Sequence, residues 1–266
     1  RGAAGSGDGG RVHPGFVRLV GDVGQRLPGD AGRGPAPLRG AEAELKPGEG
    51  SLPAGPADLR IGCCGTGTRF ADYCARFRLL EVQQTFYHPP LPATAERWRR
   101  QAPPGFEFTL KAWQLITHDP ASPTYRRLRQ PLPPHARNRY GFFRPTDEVF
   151  AAWETMRRLV AILGARVVLF QTPARFAPTP EHRRNLERFF RQVPRDGCLF
   201  VWEPRGAWTP DEVEALCREL DLVHGVDPFV NRPCWGRIAY FRLHGPGGWR
   251  HPYTDRDLDR LFQLLP

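Results

Sequence analysis

The chain has 266 residues, 40% of them hydrophobic, which is enough for one barrel-sized domain or two smaller domains with a substantial core. No stretch approaches the roughly 18 consecutive apolar residues of a membrane-spanning helix, so the sequence excludes one. Residues 1–30 lack the continuous apolar core of a secretory signal, and the six cysteines form no CxxC pair. We therefore predict a reduced, cytoplasmic protein.

The formal net charge of +10 raises the question of a nucleic-acid partner. Of the 38 basic residues only Lys46 and Lys111 are lysines, and the arginines are spread over predicted helices and loops. A polyanion-binding surface needs its charges clustered on one face. A small-molecule ligand is therefore the preferred prediction, with nucleic acid as the alternative.

Residues 1–57 form a low-complexity segment rich in Gly, Ala, Pro and Arg. Apart from Phe16-Val17 and Leu19-Val20, the segment has few large apolar residues and no sustained strand or helix period. Such a segment buries too little surface to offset its chain entropy. We predict that residues 1–57 are disordered and that residues 58–266 form the folded domain.

Seven short apolar segments indicate strands, and they alternate with amphipathic helices. The strand segments are 59–64, 78–86, 106–111, 166–171, 198–203, 220–227 and 238–244. Thr146, Thr179, Thr209 and Thr254 mark the starts of the later helices. This alternation predicts an α/β fold with a parallel sheet. A doubly wound open sheet usually carries GxGxxG after its first strand, and GCCGTG has the wrong spacing, so we prefer a TIM-barrel-like (β/α) barrel.

Residues 112–145, after the third predicted strand, are rich in Pro, Arg and aromatic side chains. A connection of about 34 residues without regular structure is unusual in a compact domain and is often functional. We therefore consider the segment a candidate lid, with His118 near its start as a candidate site residue.

Side chains two residues apart on a strand share a face, and this groups the polar residues. The predicted groups are Glu81 with Gln83 and Thr85; Thr109 with Lys111; Leu169 with Gln171; Val201 with Glu203; and Tyr240 with Arg242 and His244. The opposite faces carry large apolar residues that suit packing against helices. The polar groups are thus predicted to line the lumen near the C-terminal mouth, where (β/α) barrels carry their chemistry.

Lys111 is a candidate catalytic residue because an ammonium can lose its proton, attack a carbonyl or hold an anion, whereas a guanidinium only binds. Three roles stay open at this point. Lys111 could form a structural ion pair with Glu81 or Glu203, clamp an anion or phosphate, or form a Schiff base.

Glu203, Asp227 and His244, with Glu81 across the mouth, are further candidates. These are ligand types that suit a divalent metal such as Mn²⁺, Mg²⁺ or Zn²⁺. The same residues could instead be a general acid/base set without metal, or a hydrogen-bonded network around Arg205 and Arg242. The sequence does not choose among these hypotheses, so a metal cofactor remains one of them.

Seven motifs in order resemble the YecE-like family, domain of unknown function 72. They are IGCCG, EVQQTFYHPP, PPGFEFTLKAWQLITH, VVLFQTP, FVWEPRGAW, VDPF, and YFRLHG followed by YTDRDL, over roughly residues 59–264. The resemblance implies a TIM-barrel-like fold but supplies no reaction. It implies site positions at Glu81, Thr85, Tyr87, Lys111, Thr117, His118, Gln171, Glu203, Arg205, Trp208, Asp227, Arg242, His244 and Tyr253.

This sequence departs from the family pattern in three places. Gln83-Gln84 and Cys63 to Thr66 replace the usual Asn-Ser and Thr-Ser-Gly-Trp segments, which could alter ligand preference. Members typically continue past the YTDRDL helix into an eighth strand, whereas this chain ends at Pro266. The resemblance therefore predicts a barrel whose eighth strand is missing at the C-terminus, with two open sheet edges. Such a chain is expected to be either C-terminally truncated or marginally stable.

Together these features predict an enzyme, of hydrolase, lyase or isomerase type, that acts on a small polar, anionic or sugar-like ligand. Acid/base or metal-assisted chemistry at the mouth would use Glu203, Asp227, His244 and Lys111. The alternative is a nucleic-acid-binding or processing protein that uses the basic surface and residues 112–145. A third hypothesis is a binding or regulatory barrel that has lost catalysis.

Overall fold

The structure is a computed structural model that describes residues 59–245 and 251–265 and the backbone of residues 17–21. Its strands in chain order are β1 (Val17–Gly21), β2 (Leu59–Cys64), β3 (Leu79–Val82), β4 (Glu107–Lys111), β5 (Val167–Thr172), β6 (Leu199–Pro204), β7 (Val223–Val226) and β8 (Ala239–Leu243). Each strand pairs in parallel with its neighbours, and β1 pairs with both β2 and β8. The predicted α/β, TIM-barrel-like fold is confirmed.

Helices connect the strands as the periodicity predicts. They are α1 (Phe70–Arg76), α2 (Gln84–Tyr87), α3 (Pro92–Gln101), α4 (Gln114–Thr117), α5 (Asp147–Leu163), α6 (Pro180–Gln192), α7 (Pro210–Glu219) and α8 (Asp255–Leu264). The hydroxyl groups of Thr146, Thr179, Thr209 and Thr254 accept hydrogen bonds from the first turns of α5 to α8. Each therefore satisfies a backbone N–H that the helix itself leaves unpaired. Among the described helices, none has the length and apolarity needed to cross a bilayer.

Residues Val17–Gly21 correct the prediction that the whole of 1–57 is disordered. The run from β2 to β8 has seven strands, and no strand follows α8 within the described residues up to Leu265, as predicted. The expected open edges of β2 and β8 are instead joined by β1. An isolated five-residue strand is not stable, but β1 pairs with the exposed edges of both β2 and β8. Residues 1–16 and 22–58 lie outside the described part of the chain.

The second predicted strand, 78–86, is shorter than expected. It ends at Val82, and Gln84–Tyr87 form the short helix α2. The Thr85 hydroxyl lies 2.7 Å from the carbonyl oxygens of both Val82 and Lys111, which ties α2 to the end of β4. The alternation of polar and apolar residues along the sequence does not predict this turn, because a tertiary contact stabilises it.

The core has two layers. Between strands and helices lies a cluster of large aromatic side chains, including Phe108, Trp153, Phe170 and Phe200. Inside the barrel, the N-terminal half of the lumen is filled by a second cluster. Its members are Cys64, Leu79, Val167, Leu169, Val201, Val223, Ile238 and Tyr240. This packed floor confines the polar side chains to the C-terminal half of the lumen.

Residues 112–145 are not the structureless connection that their length suggests. They contain α4 and two short 3₁₀ helices, Pro123–Arg127 and Pro134–Arg139. Two hydrogen bonds join distant parts of the segment to each other. Gly141 N donates to Leu115 O at 2.8 Å, and Tyr125 OH donates to His118 O at 2.8 Å. Gly141 has φ 76°, and a Cβ atom there would lie 1.9 Å from His118 O, so only glycine fits this approach.

Candidate functional site

The polar layer, as we call it, occupies the lumen above the apolar floor. It consists of Glu81, Thr109, Lys111, Gln171, Glu203 and Arg242, each from a strand or its end. The parallel register aligns Glu81 with Thr109 and Gln171 with Glu203. Alternation along the strands therefore predicts this grouping, and the barrel brings its members into contact.

Arg242 lies at the centre of the polar layer, between two carboxylates. Its Nε and Nη2 donate to the two oxygens of Glu81 at 3.1 and 2.8 Å, and its Nη1 donates to Glu203 Oε2 at 2.9 Å. The three side chains are 4%, 0% and 3% exposed. A guanidinium that bridges two buried carboxylates leaves the group with one net negative charge.

The pKa values of these groups reflect burial and mutual attraction. Burial alone would raise the pKa of Glu81, but Arg242 and the Tyr240 hydroxyl outweigh it, so the pKa lies below its usual value. The pKa of Glu203 is lowered in the same way, chiefly because Arg242 outweighs burial, with help from His244 and Arg205. Both carboxylates are therefore ionised at neutral pH.

Lys111 is held differently from the two glutamates. Its Nζ donates to Gln171 Oε1 at 2.9 Å and lies 4.3 Å from the centre of the Phe86 ring, a cation–π contact. Gln171 Nε2 in turn donates to Glu203 Oε2 at 2.9 Å. Among the described residues, Lys111 thus reaches Glu203 through Gln171 and forms no direct ion pair with either glutamate. Burial and the nearby charge of Arg242 lower the pKa of Lys111 to about 8.

Arg205, His244 and Asp227 form the rim of the mouth. Arg205 Nη2 donates to Glu203 Oε1 and to His244 Nε2, each at 2.5 Å, and the Arg205 side chain is 41% exposed. Asp227 accepts from the backbone N–H groups of His244 and Phe229, both at 3.0 Å. Asp227 therefore positions the backbone that carries His244 and has its charge compensated by two donors.

His118 and Tyr87 lie next to this layer. The His118 ring packs edge-on against Phe86, with centroids 4.8 Å apart, and its Nδ1 lies 2.8 Å from the Thr117 hydroxyl. Burial and the charge of Lys111 lower the pKa of His118 to about 3, so the ring is neutral at neutral pH. Tyr87 also packs on Phe86 and is half-buried.

Two predicted site residues lie apart from the polar layer. Trp208 packs against Trp202 in the outer core, and its Nε1 donates to Phe176 O at 2.6 Å. Tyr253 is 37% exposed and contacts Phe229 and His251 beside the start of α8. Nothing in these contacts joins either residue to Lys111 or Glu203.

Three further residues complete the shell around Glu81. Tyr240 OH donates to Glu81 Oε2 at 2.7 Å, Gln83 Nε2 donates to Glu81 Oε1 at 2.5 Å, and Cys64 Sγ lies 3.3 Å from that oxygen. Strand alternation predicts Tyr240 and Gln83 on the lumen face, but neither is among the predicted site residues. Their position two residues from Arg242 and Glu81 is the signal that would have included them.

The predicted metal ligands do not come together as a ligand group. Within residues 17–21, 59–245 and 251–265, no cluster of three His, Cys, Asp or Glu side chains could hold a metal ion. Arg242 binds both oxygens of Glu81, and Asp227 is held by backbone donors. A divalent cation at Glu81 would have to displace the guanidinium of Arg242. The donor set of the described residues therefore does not fit a metal.

The family model described as "Protein of unknown function DUF72" matches residues 63–265, which is most of the chain. The chain belongs to this family. The YecE-like family that the motifs resemble is the same DUF72 family, so the resemblance is confirmed. No curated protein matches the sequence.

Solved DUF72 structures share the fold. Two crystal structures of a DUF72 family protein from Enterococcus faecalis have TM-scores of 0.59 and 0.57 at 18% and 17% identity. They cover 77% of this chain and 83% and 82% of those chains. A DUF72 family protein from Thermotoga maritima has a TM-score of 0.52 at 20% identity, covering 72% of this chain and 74% of that one. At these identities the likeness establishes the barrel fold alone.

Proposed function

We propose that this DUF72 protein is an enzyme that binds a small anionic ligand at the barrel mouth and uses Lys111 for proton transfer. The observation that carries the proposal is the setting of Lys111. It is a buried ammonium that is held by an amide oxygen and a ring face, with no direct carboxylate partner among the described residues. An anion that enters the mouth would supply the missing counter-charge.

The lowered pKa supports the proton-transfer role. With a pKa of about 8, Lys111 is mostly protonated at neutral pH and can still exchange its proton with a bound substrate. A general acid or base works best when its pKa is near the operating pH. Because His118 is neutral and adjacent, it can accept or donate a hydrogen bond without adding charge.

The charge balance of the mouth supports an anionic ligand. The carboxylates of Glu81 and Glu203 face three cations, Lys111, Arg205 and Arg242. Asp227 adds a third carboxylate at the rim, where the backbone N–H groups of Phe229 and His244 donate to it. The exposed part of Arg205 therefore remains available to hold a carboxylate or phosphate beside Lys111.

We prefer a small molecule to nucleic acid because several arginines of the 112–145 segment are held by contacts within the protein. Arg137 donates to Pro120 O at 2.9 Å, Arg144 pairs with Asp119 at 3.5 Å, and Arg139 pairs with Glu148 at 2.5 Å. These contacts reduce the charge that the segment can offer to a phosphate backbone.

The test is a panel of small anions, including inorganic phosphate, sugar phosphates and 2-oxo acids, screened by thermal shift. We expect at least one anion to raise the melting temperature of the wild type and of the surface control Arg188→Met. Lys111→Met should abolish that shift, since a ligand at 100 times its Kd stabilises by about 2.7 kcal/mol. If Lys111→Met and the wild type respond alike to every anion, the proposal is wrong.

A salt titration with single- and double-stranded DNA tests the alternative. Binding whose affinity falls linearly and steeply in log–log form with salt would favour the nucleic-acid function over the one proposed here.

A further inference from the structure

A groove on the outside of the barrel has the construction of a second binding site. It lies between the Pro89–Pro92 segment, the Leu128–Pro133 segment and the outer face of α5, and its volume is about 560 Å³. Pockets for small organic ligands typically measure about 300 to 1,000 Å³ and are mostly apolar with a few polar groups. The groove fits that description in both size and lining.

The walls of the groove are apolar and stiff. Prolines at 89, 90, 92, 131 and 133 form its rims, and the side chains of Leu91, Trp113, Leu132 and Tyr140 line it. Leu91 is 66% exposed and adds apolar surface to the groove. Because proline fixes φ, these rims lose little backbone freedom when a ligand binds.

The charged groups that line the groove are basic. Arg129 and Arg158 line it, and among the described residues neither forms an ion pair. His88 also lines it, and its Nδ1 is buried without a hydrogen-bond partner there. Burial and the nearby charge of Arg129 lower the pKa of His88. A neutral imidazole can donate one hydrogen bond, and two guanidinium groups can bind an anion.

We propose that this groove binds an amphiphilic anion, a molecule with an apolar chain or ring and one acidic group. The apolar part would lie on Leu91, Trp113 and Leu132, and the acidic group would be held by Arg129 and Arg158. This site is separate from the polar layer and does not depend on the function proposed for Lys111. The exposed apolar walls argue for the apolar part of the ligand, and the unpaired arginines argue for its charge.

The experiment uses 8-anilinonaphthalene-1-sulfonate, a fluorescent aromatic anion, titrated against the full chain. We expect saturable binding to one site, with the double variant Arg129→Met/Arg158→Met weakened at least tenfold. The matched control is Arg184→Met/Arg188→Met, two exposed arginines on α6, which should bind within twofold of the wild type. All proteins are first checked for an unchanged cooperative melt.

Competition on the unmodified protein gives an independent result. Decanoate should displace the dye, whereas decan-1-ol, which has the same chain without the charge, should displace it at least tenfold less well. Displacement by 2-naphthoate rather than decanoate would assign the apolar part of the ligand to a ring. Displacement by decan-1-ol that matches displacement by the better of the two acids, or an unchanged affinity in the Arg129/Arg158 variant, would overturn the proposal.

Discussion

Arg242 links two buried carboxylates across the barrel mouth, Glu81 and Glu203. Glu81 has both oxygens bound by the guanidinium, and Glu203 has one. A buried ion pair often adds little net stability, since desolvation offsets the attraction, but loss of one partner strands the other charge. The arrangement is therefore sensitive to the loss of a single side chain.

We expect Arg242→Met to lower the free energy of unfolding by about 3–5 kcal/mol, because Glu81 would remain buried without a counter-ion and Glu203 would keep only the partly exposed Arg205. Urea unfolding at pH 7 measures the change. Arg100→Met is the control, since the pair of Arg100 with Glu96 is 3.9 Å apart and well exposed, so it should leave stability almost unchanged. Equal effects of the two substitutions would contradict the described role of Arg242.

Lys111 gives a pH-dependent signature of its own. Its pKa is about 8 in the folded protein and 10.5 in the reference state, so between these values the unfolded chain binds more protons. The free energy of unfolding should therefore rise as pH increases from about 8 to 10.5, and the cost of burying the charge is fully present below pH 8. The rise amounts to about 3 kcal/mol.

The measurement is the difference in stability between wild type and Lys111→Met across that range. Subtracting the two free energies of unfolding removes the contribution of the other titratable groups. The free energy of unfolding of the wild type should increase relative to that of Lys111→Met as the pH rises. A difference that stays constant would show that Lys111 keeps an ordinary pKa.

At the scale of elements, the short strand β1 is the piece that closes the barrel. It is paired in parallel on both sides, with Leu19 opposite both Ile61 of β2 and Phe241 of β8. A strand paired on two sides uses its backbone donors and acceptors in both ladders. The seven strands from β2 to β8 therefore depend on a distant segment to satisfy their terminal edges.

Leu19→Pro should destabilise the barrel, because proline removes a ladder hydrogen bond and leaves an acceptor unpaired at a cost of about 1–3 kcal/mol. Val17→Pro is the matched control, since the first residue of a strand tolerates proline better. Urea unfolding gives the stability, and hydrogen exchange of the amides of β2 and β8 reports on the ladders. Equal stability of the two variants, with unchanged exchange, would argue against β1 as the closing strand.

At the scale of the whole molecule, buried titratable groups make the free energy of unfolding decrease at acidic pH. Glu81 and Glu203 are carboxylates whose pKa is lower in the folded protein than the usual value of 4.5. Their contribution to the free energy of unfolding is fully present above pH 4.5 and is lost as the pH falls through the pKa of the folded state. His118 also makes the protein less stable in acid. Its pKa is 6.5 in the reference state and about 3 in the folded protein, so below pH 6.5 the imidazole takes up a proton in the unfolded chain but not in the folded one.

We expect the free energy of unfolding to decline from about pH 6.5 downward and more steeply below about pH 4.5. Glu203→Gln should flatten the decline below pH 4.5, even though its stability at pH 7 is lower. Glu96→Gln, at an exposed position on α3, should follow the wild type. Urea midpoints between pH 7 and 3 test this, and parallel curves for Glu203→Gln and wild type would contradict it.

The local pattern of the sequence determined most of the strands, the capped helices and the face on which each polar side chain lies. Strand alternation and helix caps depend on neighbours in the chain, so Glu81, Lys111, Gln171, Glu203 and Arg242 could be assigned to the lumen without a structure. The turn that ends β3 at Val82 was not visible, because Thr85 is held there by β4.

Only the tertiary structure decided which of these groups meet and what closes the barrel. Arg242 binds Glu81 across about 160 residues of chain, and Gln171 stands between Lys111 and Glu203. The strand at Val17–Gly21 forms because two distant edges pair with it. Contacts between residues far apart in the chain depend on how the strands close in space, and local periodicity carries no information about that closure.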